Sequence, residues 1–417
     1  MAKKYKIAVI GCGSAGAAAA IYLKRAGHDL RIFEKIADPK PVGAGILMQP
    51  SGLEVLYELG LLEDVLRLGT RVDRLFGETK KGRPILDIGY QDIDQNAYGL
   101  GIHRGALFMA LFNAVQKENI SVECGVDIQS LEERRDSVVL KDSEGKLCGM
   151  FDFVIIADGA RSTLRSQIKI DSQIDAYPWG AIWHIADEPT SGPLADGRVL
   201  AQVYENTQQM IGFLPTGVSH PGSQRKLTSM FWSIEMATID TWKKGGLNAW
   251  RDQALALSPN AEPLLVGLNS LDELQVAGYH DVRMQTWNTA RTAILGDAAH
   301  AMSPQLGQGA NLALFDAKEL DWAMQQDGDL HQCLNAYSRR RKQHLAYYQL
   351  ASRWLTPIFQ SRWPVLSWPR DTLFEPISRI PFVRRQMVES LLGIKTGLFS
   401  RMQYRALPPL LPPAKTT

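Results

Sequence analysis

"YKIAVIGCGSAGAAAAIYLKRAGHDLRIFEK" runs from Tyr5 to Lys35. Ile7–Ile10 suits a short buried strand, and it leads straight into Gly11. Gly11, Gly13 and Gly16 fill the three glycine positions of G-x-G-x-x-G. Ala17–Leu23 is a strong helix former closed by Gly27, and Leu30–Phe33 reads as a second strand ending in Glu34. The three glycines meet three demands: a tight turn, close approach of a pyrophosphate, and close packing of helix on strand. Glu34, eighteen residues past the third glycine, suits the two hydroxyls of an adenosine ribose. A glycine-rich turn alone is weak evidence, but here strand, glycines, helix, strand and acid arrive in order. A purely structural βαβ unit has no need of the acid. An acid at that place favours an unphosphorylated ribose, hence FAD or NAD.

The chain is 417 residues long, enough for two domains and an appendage. Its 45% hydrophobic and 22% charged residues are ordinary for a globular protein. The four cysteines (Cys12, Cys124, Cys148 and Cys333) form no CxxC pair, which argues against a disulfide scaffold, a zinc site or dithiol redox chemistry. No metal site is expected, and the expected setting is the cytoplasm. Lys3, Lys4 and Lys6 before the uncharged run Ile7–Leu23 imitate a secretion signal, but three glycines interrupt the run. No stretch of eighteen uninterrupted apolar residues predicts a spanning helix. Charge is uneven: residues 339–417 carry +11 and the remainder −9.

A second ligand-directed stretch is "AILGDAAHAMSPQLGQGANLALFDA", Ala293–Ala317. An apolar run ends in Gly296-Asp297, a loop with a proline and two glycines comes next, and Asn311 opens a helical alternation. Helix N-termini attract negative charge and a carboxylate accepts hydrogen bonds from hydroxyls. The pair suits a ligand with an anionic edge and a polyol chain. "GIHRGALFMALFNAV" (Gly101–Val115) begins another helix with Arg104 in its first turn, against the helix dipole. A nearby anion would compensate; a solvated surface arginine is the plainer alternative.

With these motifs in view the chain resembles a class A flavoprotein monooxygenase, the aromatic-hydroxylase group related to para-hydroxybenzoate hydroxylase. The glycine motif with Glu34, "FVIIADGARSTLR" (Phe153–Arg165) and the Gly296-Asp297 stretch carry the resemblance, which covers roughly residues 5–345. It implies an α/β fold: a Rossmann-like FAD domain of the glutathione-reductase type, an inserted antiparallel-sheet substrate domain and a C-terminal helical tail. The expected FAD domain is residues 1–75, 100–178 and 281–345, with 76–99 and 179–280 forming the substrate domain.

The resemblance also assigns residues. Around the adenosine and pyrophosphate it puts Gly11, Gly13, Ser14, Ala15, Gly16, Glu34, Lys35, Arg104 and Ile128. Asp158 and Arg165 are expected at the pyrophosphate and the nicotinamide entry. Gly296 and Asp297 are expected at the ribityl hydroxyls or the pyrophosphate side, and Gly307, Gly309, Ala310 and Asn311 at the flavin pyrimidine. Pro304 is expected beside flavin C4a, where a rigid residue without an N–H suits a hydroperoxide. His300, inside "GDAAH", is expected to support the loop rather than act as a base.

The implied reaction uses non-covalently bound FAD, NAD(P)H as a transient reductant and O2. It hydroxylates an aromatic or similarly flat apolar molecule through a flavin C4a-hydroperoxide. Only one dinucleotide fingerprint is present, so the nicotinamide needs no domain of its own. No W-x-W-x-I-P string supports a flavin halogenase. A flavin-dependent reductase, another non-hydroxylating oxidoreductase, and a flavin-binding protein without turnover remain as alternatives. Alternating segments between residues 179 and 280 predict antiparallel strands. Trp183, Gln202, Tyr204, Phe213 and Trp232 are the candidates for the substrate wall, each alternatively plain sheet core.

Residues 346–417 are expected as a separate basic, aromatic segment cut into short helices by prolines 357, 364, 369, 376 and 381. Nucleic-acid binding is not expected, because no recognised module accompanies the charge. Three alternatives stand: packing on the acidic FAD domain, a homodimer contact, and peripheral docking on the inner face of an anionic membrane.

Overall fold

The computed structural model describes residues 3–40, 43–195 and 197–407. Pro41 and Val42 of the glycine-rich loop expected after Glu34, and residues 408–417 of the basic segment, lie outside the described residues. At the centre is a five-stranded parallel sheet. Across it the strands are Thr292–Ile294, Phe153–Ile156, Lys6–Ile10, Asp29–Glu34 and Ser121–Cys124. Ile7 lies between Leu30 and Phe153, and Ile156 is opposite Ile294. Ile7–Ile10, Phe153–Ile156 and Thr292–Ile294 are buried on both faces, which is why they read as nearly unbroken apolar runs, whereas the edge strand Ser121–Cys124 is partly exposed.

Helix Ser14–Arg25 lies on this sheet, with Ala17 to Ala20 wholly buried. Its alanine face lets helix Gly309–Met324 approach closely. A larger side chain at Ala18 would overpack that contact, at about 1–3 kcal/mol.

The second layer is a seven-stranded sheet. Its order is Gln275–Met284, Ser172–Asp187, Leu227–Glu235, Gln209–Gly217, Val199–Glu205, Arg74–Thr79 and Pro84–Gly89. All neighbours are antiparallel except Val199–Glu205 with Arg74–Thr79. Two of its strands run through residues 178 and 280, and a third begins at Arg74, so the sheet crosses the boundaries expected from the sequence. Helix Ile239–Leu257, kinked at Gly246 (φ 80°), covers one face. There the Trp232 and Trp250 rings meet edge to face at 6.5 Å.

Helix Leu330–Phe359 starts on a capping box in which Gln332 N donates to Asp329 Oδ1 at 2.8 Å. It continues through Pro357, so that proline does not divide the segment as expected, and residue 346 is mid-helix rather than a boundary. Later prolines do shape the chain: Pro364 opens a single 3₁₀ turn, and Pro381 opens helix Pro381–Leu392 at its first position. Val388, Leu391 and Leu392 of that helix are buried with Ile88, Leu200 and Leu214 of the large sheet. The segment therefore packs on the substrate sheet as well as on the FAD domain, where Ser390 and Leu391 accept from Gln308.

Candidate active site

Four motif residues meet at the carboxyl ends of four adjacent parallel strands. Across the sheet they come in the order Asp297, Asp158, Gly11 and Glu34. Open α/β sheets bind ligands in the crevice at such ends. Gly11 has φ 95°, and a Cβ there would lie 2.5 Å from Ala157 O and 3.1 Å from Asp158 Cα. A Cβ on Gly16 would lie 2.0 Å from Gly11 O, whereas one on Gly13 would meet nothing within 4 Å. Turn, close packing and an open side are thus divided among the three glycines.

Two helix starts face this crevice. In helix Ser14–Arg25 the first turn closes with Ala17 N donating to Gly13 O, which leaves the N–H groups of Ser14, Ala15 and Gly16 without intrahelical acceptors. In helix Gly309–Met324, Leu312 N donates to Gln308 O, leaving Gly309, Ala310 and Asn311 in the same condition. Gly296 joins the two: its Cβ position would be 3.0 Å from Ala15 Cβ and 3.3 Å from Ala313 Cβ. The Asp297 carboxylate is exposed, and its Oδ1 is 3.7 Å from where a Gly309 Cβ would stand.

The remaining groups fit an FAD-sized ligand. Glu34 Oε2 accepts from Cys12 N and Oε1 from Ile36 N, both at 2.9 Å, so the carboxylate is fixed beside the glycine turn with acceptor capacity to spare. Asp158 Oδ1 is buried without a hydrogen-bond partner. Burial raises the Asp158 carboxyl, against the Ser162 hydroxyl and the Arg165 charge that lower it. Arg104 is exposed at the start of its helix, and no carboxylate pairs with it among the described residues. Pro304 and Gly307 (φ 59°) are exposed on the same loop. Lys35 points outward to Asp127 at 3.0 Å.

Several of the expected ligand residues also bond or pack within the protein. Arg165 is buried and donates through Nε to Ala298 O at 2.6 Å and through Nη2 to Ala160 O at 3.1 Å. It ties the Asp158 loop to the turn that follows Asp297. Asn311 spends its side chain on the protein: Oδ1 accepts from Gln49 N, and Nδ2 donates to Leu47 O and Gly307 O. Ile128 is a core residue beginning strand Ile128–Glu133. His300 is buried under the loop, bonded to Asp316, which also accepts from Gly296 N at 2.7 Å.

The five expected wall residues divide between the two faces of the large sheet. Phe213 and Trp232 point to the side covered by helix Ile239–Leu257 and are core there. Alternation shows that a strand has two faces, but not which neighbour covers each. Trp183, Gln202 and Tyr204 share the opposite face by pairing parity. Tyr204 is buried there against the Phe359 ring at 5.4 Å and the Arg370 guanidinium at 4.9 Å, so it is removed from the pocket. Trp183 stacks on Phe231 with centroids 4.9 Å apart and donates Nε1–H to Tyr279 OH at 3.4 Å. Gln202 is half-buried opposite Gly212, over which the Phe231 ring lies.

Sequence reasoning missed a polar set next to Pro304. Gln305 Nε2 donates to Gln360 Oε1 at 2.6 Å, and Tyr177 OH donates to the same oxygen at 3.4 Å. Gln360 Nε2 donates to Ser233 Oγ at 2.9 Å. Burial raises the Tyr177 hydroxyl to about 12, although Thr356 and Gln305 pull it down. Gln360 ends the long helix, in the stretch where the family pattern is weakest, so no motif pointed to it. Gln49 was also missed. It is wholly buried, takes a 2.6 Å bond from Tyr90 OH on Oε1, and leaves Nε2 unpartnered near Gly307.

The FAD binding domain family model matches residues 4–348. The chain belongs to this family of FAD-dependent monooxygenases. Its cofactor is FAD, and it is an oxidoreductase. It is 29% identical over 371 residues to kynurenine 3-monooxygenase of Salinispora arenicola, covering 82% of this chain and 77% of that one. It is 25% identical over 389 residues to 6-hydroxynicotinate 3-monooxygenase of Bordetella bronchiseptica, covering 90% and 98%. Klebsiella pneumoniae HpxO, solved with FAD and uric acid, has the same fold: TM-score 0.77 at 20% identity, covering 93% and 97%. No helix of the described residues is long and apolar enough to cross a membrane.

Proposed function

We propose that the chain is a single-component hydroxylase of an uncharged, flat aromatic or heteroaromatic ring, using NAD(P)H and O2. The observation that carries this reading is the neutral amide and hydroxyl set of Tyr177, Gln305, Gln360 and Ser233, placed one residue beyond Pro304. Buried amides and hydroxyls orient a polar ring substituent, whereas a buried carboxylate would call for a paired cation. Trp183 and Phe231 supply an aromatic surface against which a ring can lie. The relatives named above act, by their names, on ring compounds.

When bound, FAD supplies the redox chemistry by which one atom of O2 enters the product and the other leaves as water, NAD(P)H giving the two electrons. The chain's residues hold and shield that chemistry. Glu34 takes the adenosine ribose, and the Ser14–Gly16 N–H groups with Arg104 take the pyrophosphate. Asp297 accepts from the ribityl chain. The Gly309–Asn311 N–H groups stabilise negative charge at the flavin pyrimidine edge. Pro304 closes the loop there without presenting an N–H. A cytoplasmic setting is supported by four cysteines that are all free.

Screening ring compounds for acceleration of NAD(P)H oxidation, with ¹⁸O2, tests the reading. One labelled oxygen in the product is the expected outcome. An oxygen atom in the product that carries no label overturns the reading, and NAD(P)H oxidation without any oxygenated product favours a reductase instead.

A further inference from the structure

We propose that the strip from Leu350 to Phe399 is a docking surface for an anionic lipid bilayer. Of the nineteen large apolar side chains exposed among the described residues, eleven lie in this strip. Trp363, Trp368 and Phe399 are 68%, 69% and 82% exposed. Leu373, Ile377 and Ile380 lie beyond them at helical spacing, and the Phe382 and Phe399 rings are 6.0 Å apart. Soluble surfaces seldom leave so many large apolar groups together unless something covers them.

The charges around these side chains select the partner. The strip has seven arginines and lysines against three acids, and five of the seven, all arginines, reach the surface while Arg370 and Lys395 are buried. Apart from buried Arg370, which pairs with the more exposed Asp371, the exposed arginines of the strip stand over acids that lie further inward. Arg362 is 67% exposed over a Glu235 that is 19% exposed, and Arg379 is 75% exposed over a Glu375 that is 20% exposed. Glu389, almost wholly buried, sits beneath Arg385 and Arg401, with the buried Lys395 beside it. The outer surface of the strip therefore presents both guanidinium groups and large apolar side chains.

A two-fold contact with a second copy would set this positive strip against itself. Anionic headgroups over an acyl boundary satisfy both features at once, since tryptophan favours that boundary and arginine the phosphates. Contact is peripheral, because no described helix can span. Gln360 lies within the strip, three residues before Trp363, so a lipid-dissolved molecule would arrive beside the polar set. The docking proposal stands whether or not the substrate reading holds.

The test is flotation of the full-length, FAD-loaded protein with vesicles of phosphatidylcholine, alone or mixed with phosphatidylglycerol. Binding to the mixed vesicles that weakens with salt is expected. With W363S and W368S together, binding should fall by roughly tenfold or more, with flavin absorbance unchanged. Tryptophan emission quenched by brominated lipid in the unsubstituted protein gives a second readout that needs no variant. A protein that stays with the soluble fraction at low salt and shows no quenching overturns the proposal. So does a stable dimer that the tryptophan substitutions turn into a monomer, which would assign the strip to a second copy.

Discussion

His300 Nε2 and Asp316 Oδ2 lie 2.6 Å apart, with both side chains wholly buried. Asp316 is also bonded through Oδ1 to Arg341 Nε at 2.6 Å, and it holds the Gly296 N–H. Three elements therefore converge on one carboxylate: the end of the parallel strand, the helix after the loop, and the long helix. Removing one partner of such a buried pair leaves the other uncompensated. Asp316→Asn should cost about 3–5 kcal/mol in urea unfolding, and should weaken FAD retention because a single neutral acceptor oxygen is left to serve Gly296, His300 and Arg341.

The same carboxylate sets an acid limit. Burial alone would raise it, but His300, Arg341 and the Gly296 N–H outweigh burial and hold it at about 2, below the ordinary 3.8. A depressed folded-state value stabilises the fold above pH 3.8, and the benefit is lost as pH falls from there to 2. Thermal melts across that window should show a loss of about 2–3 kcal/mol that is absent in Asp316→Asn.

The three glycines predict separable defects. Gly13→Ala adds a Cβ into open space at an ordinary φ of −70°, so the fold should keep its melting temperature. FAD affinity should nevertheless fall about tenfold, the effect of obstructing a contact worth about 1.4 kcal/mol. Gly16→Ala pushes a Cβ against Gly11 O and should lower stability itself by more than about 1–3 kcal/mol. Equal loss of folding in both variants would contradict the assignment of Gly13 to the ligand side.

Asp297→Ala removes an exposed carboxylate that holds no other part of the fold in place. We expect an intact fold and FAD binding weakened about 10- to 100-fold, the range for losing hydrogen bonds to a charged group. Equilibrium titration of the apoprotein, monitored by flavin fluorescence, measures it.

Tyr177→Phe tests the substrate set. With its hydroxyl raised to about 12, Tyr177 remains a neutral donor at physiological pH and should add no inflection to the pH profile. Its loss should raise KM about 5- to 10-fold with kcat within roughly twofold, the pattern of a contact made equally before and during reaction. Gln360→Leu should do the same, and FAD affinity should be unchanged in both.

The parallel half of the fold could be read from the chain because its signals are local. Glycine spacing, alanine-rich helix and acid all lie within residues 5–35, and each is demanded by backbone geometry that tertiary context cannot alter. The large sheet was legible as strands but not as a two-sided object. Phe213 and Trp232 look like wall residues until helix Ile239–Leu257 is seen to cover them. Arg165 and Asn311 occupy motif positions, yet their side chains bond to main-chain groups far away in sequence. Gln360 and Gln49 had no signal at all, since an amide acquires a role only from the distant residues that meet it.

Gln308, in the loop between Pro304 and Asn311, donates Nε2–H to Ser390 O at 3.1 Å and to Leu391 O at 2.8 Å. Gly393 is packed so tightly there that a Cβ would lie 2.0 Å from Ser51 Oγ. During synthesis, then, a ribosome that has completed the whole Rossmann unit still carries an unfinished loop. Its amide clamp closes only after residue 393 has cleared the exit tunnel. Cofactor capture should consequently come late in the life of the nascent polypeptide, and chains stalled before that point should emerge colourless.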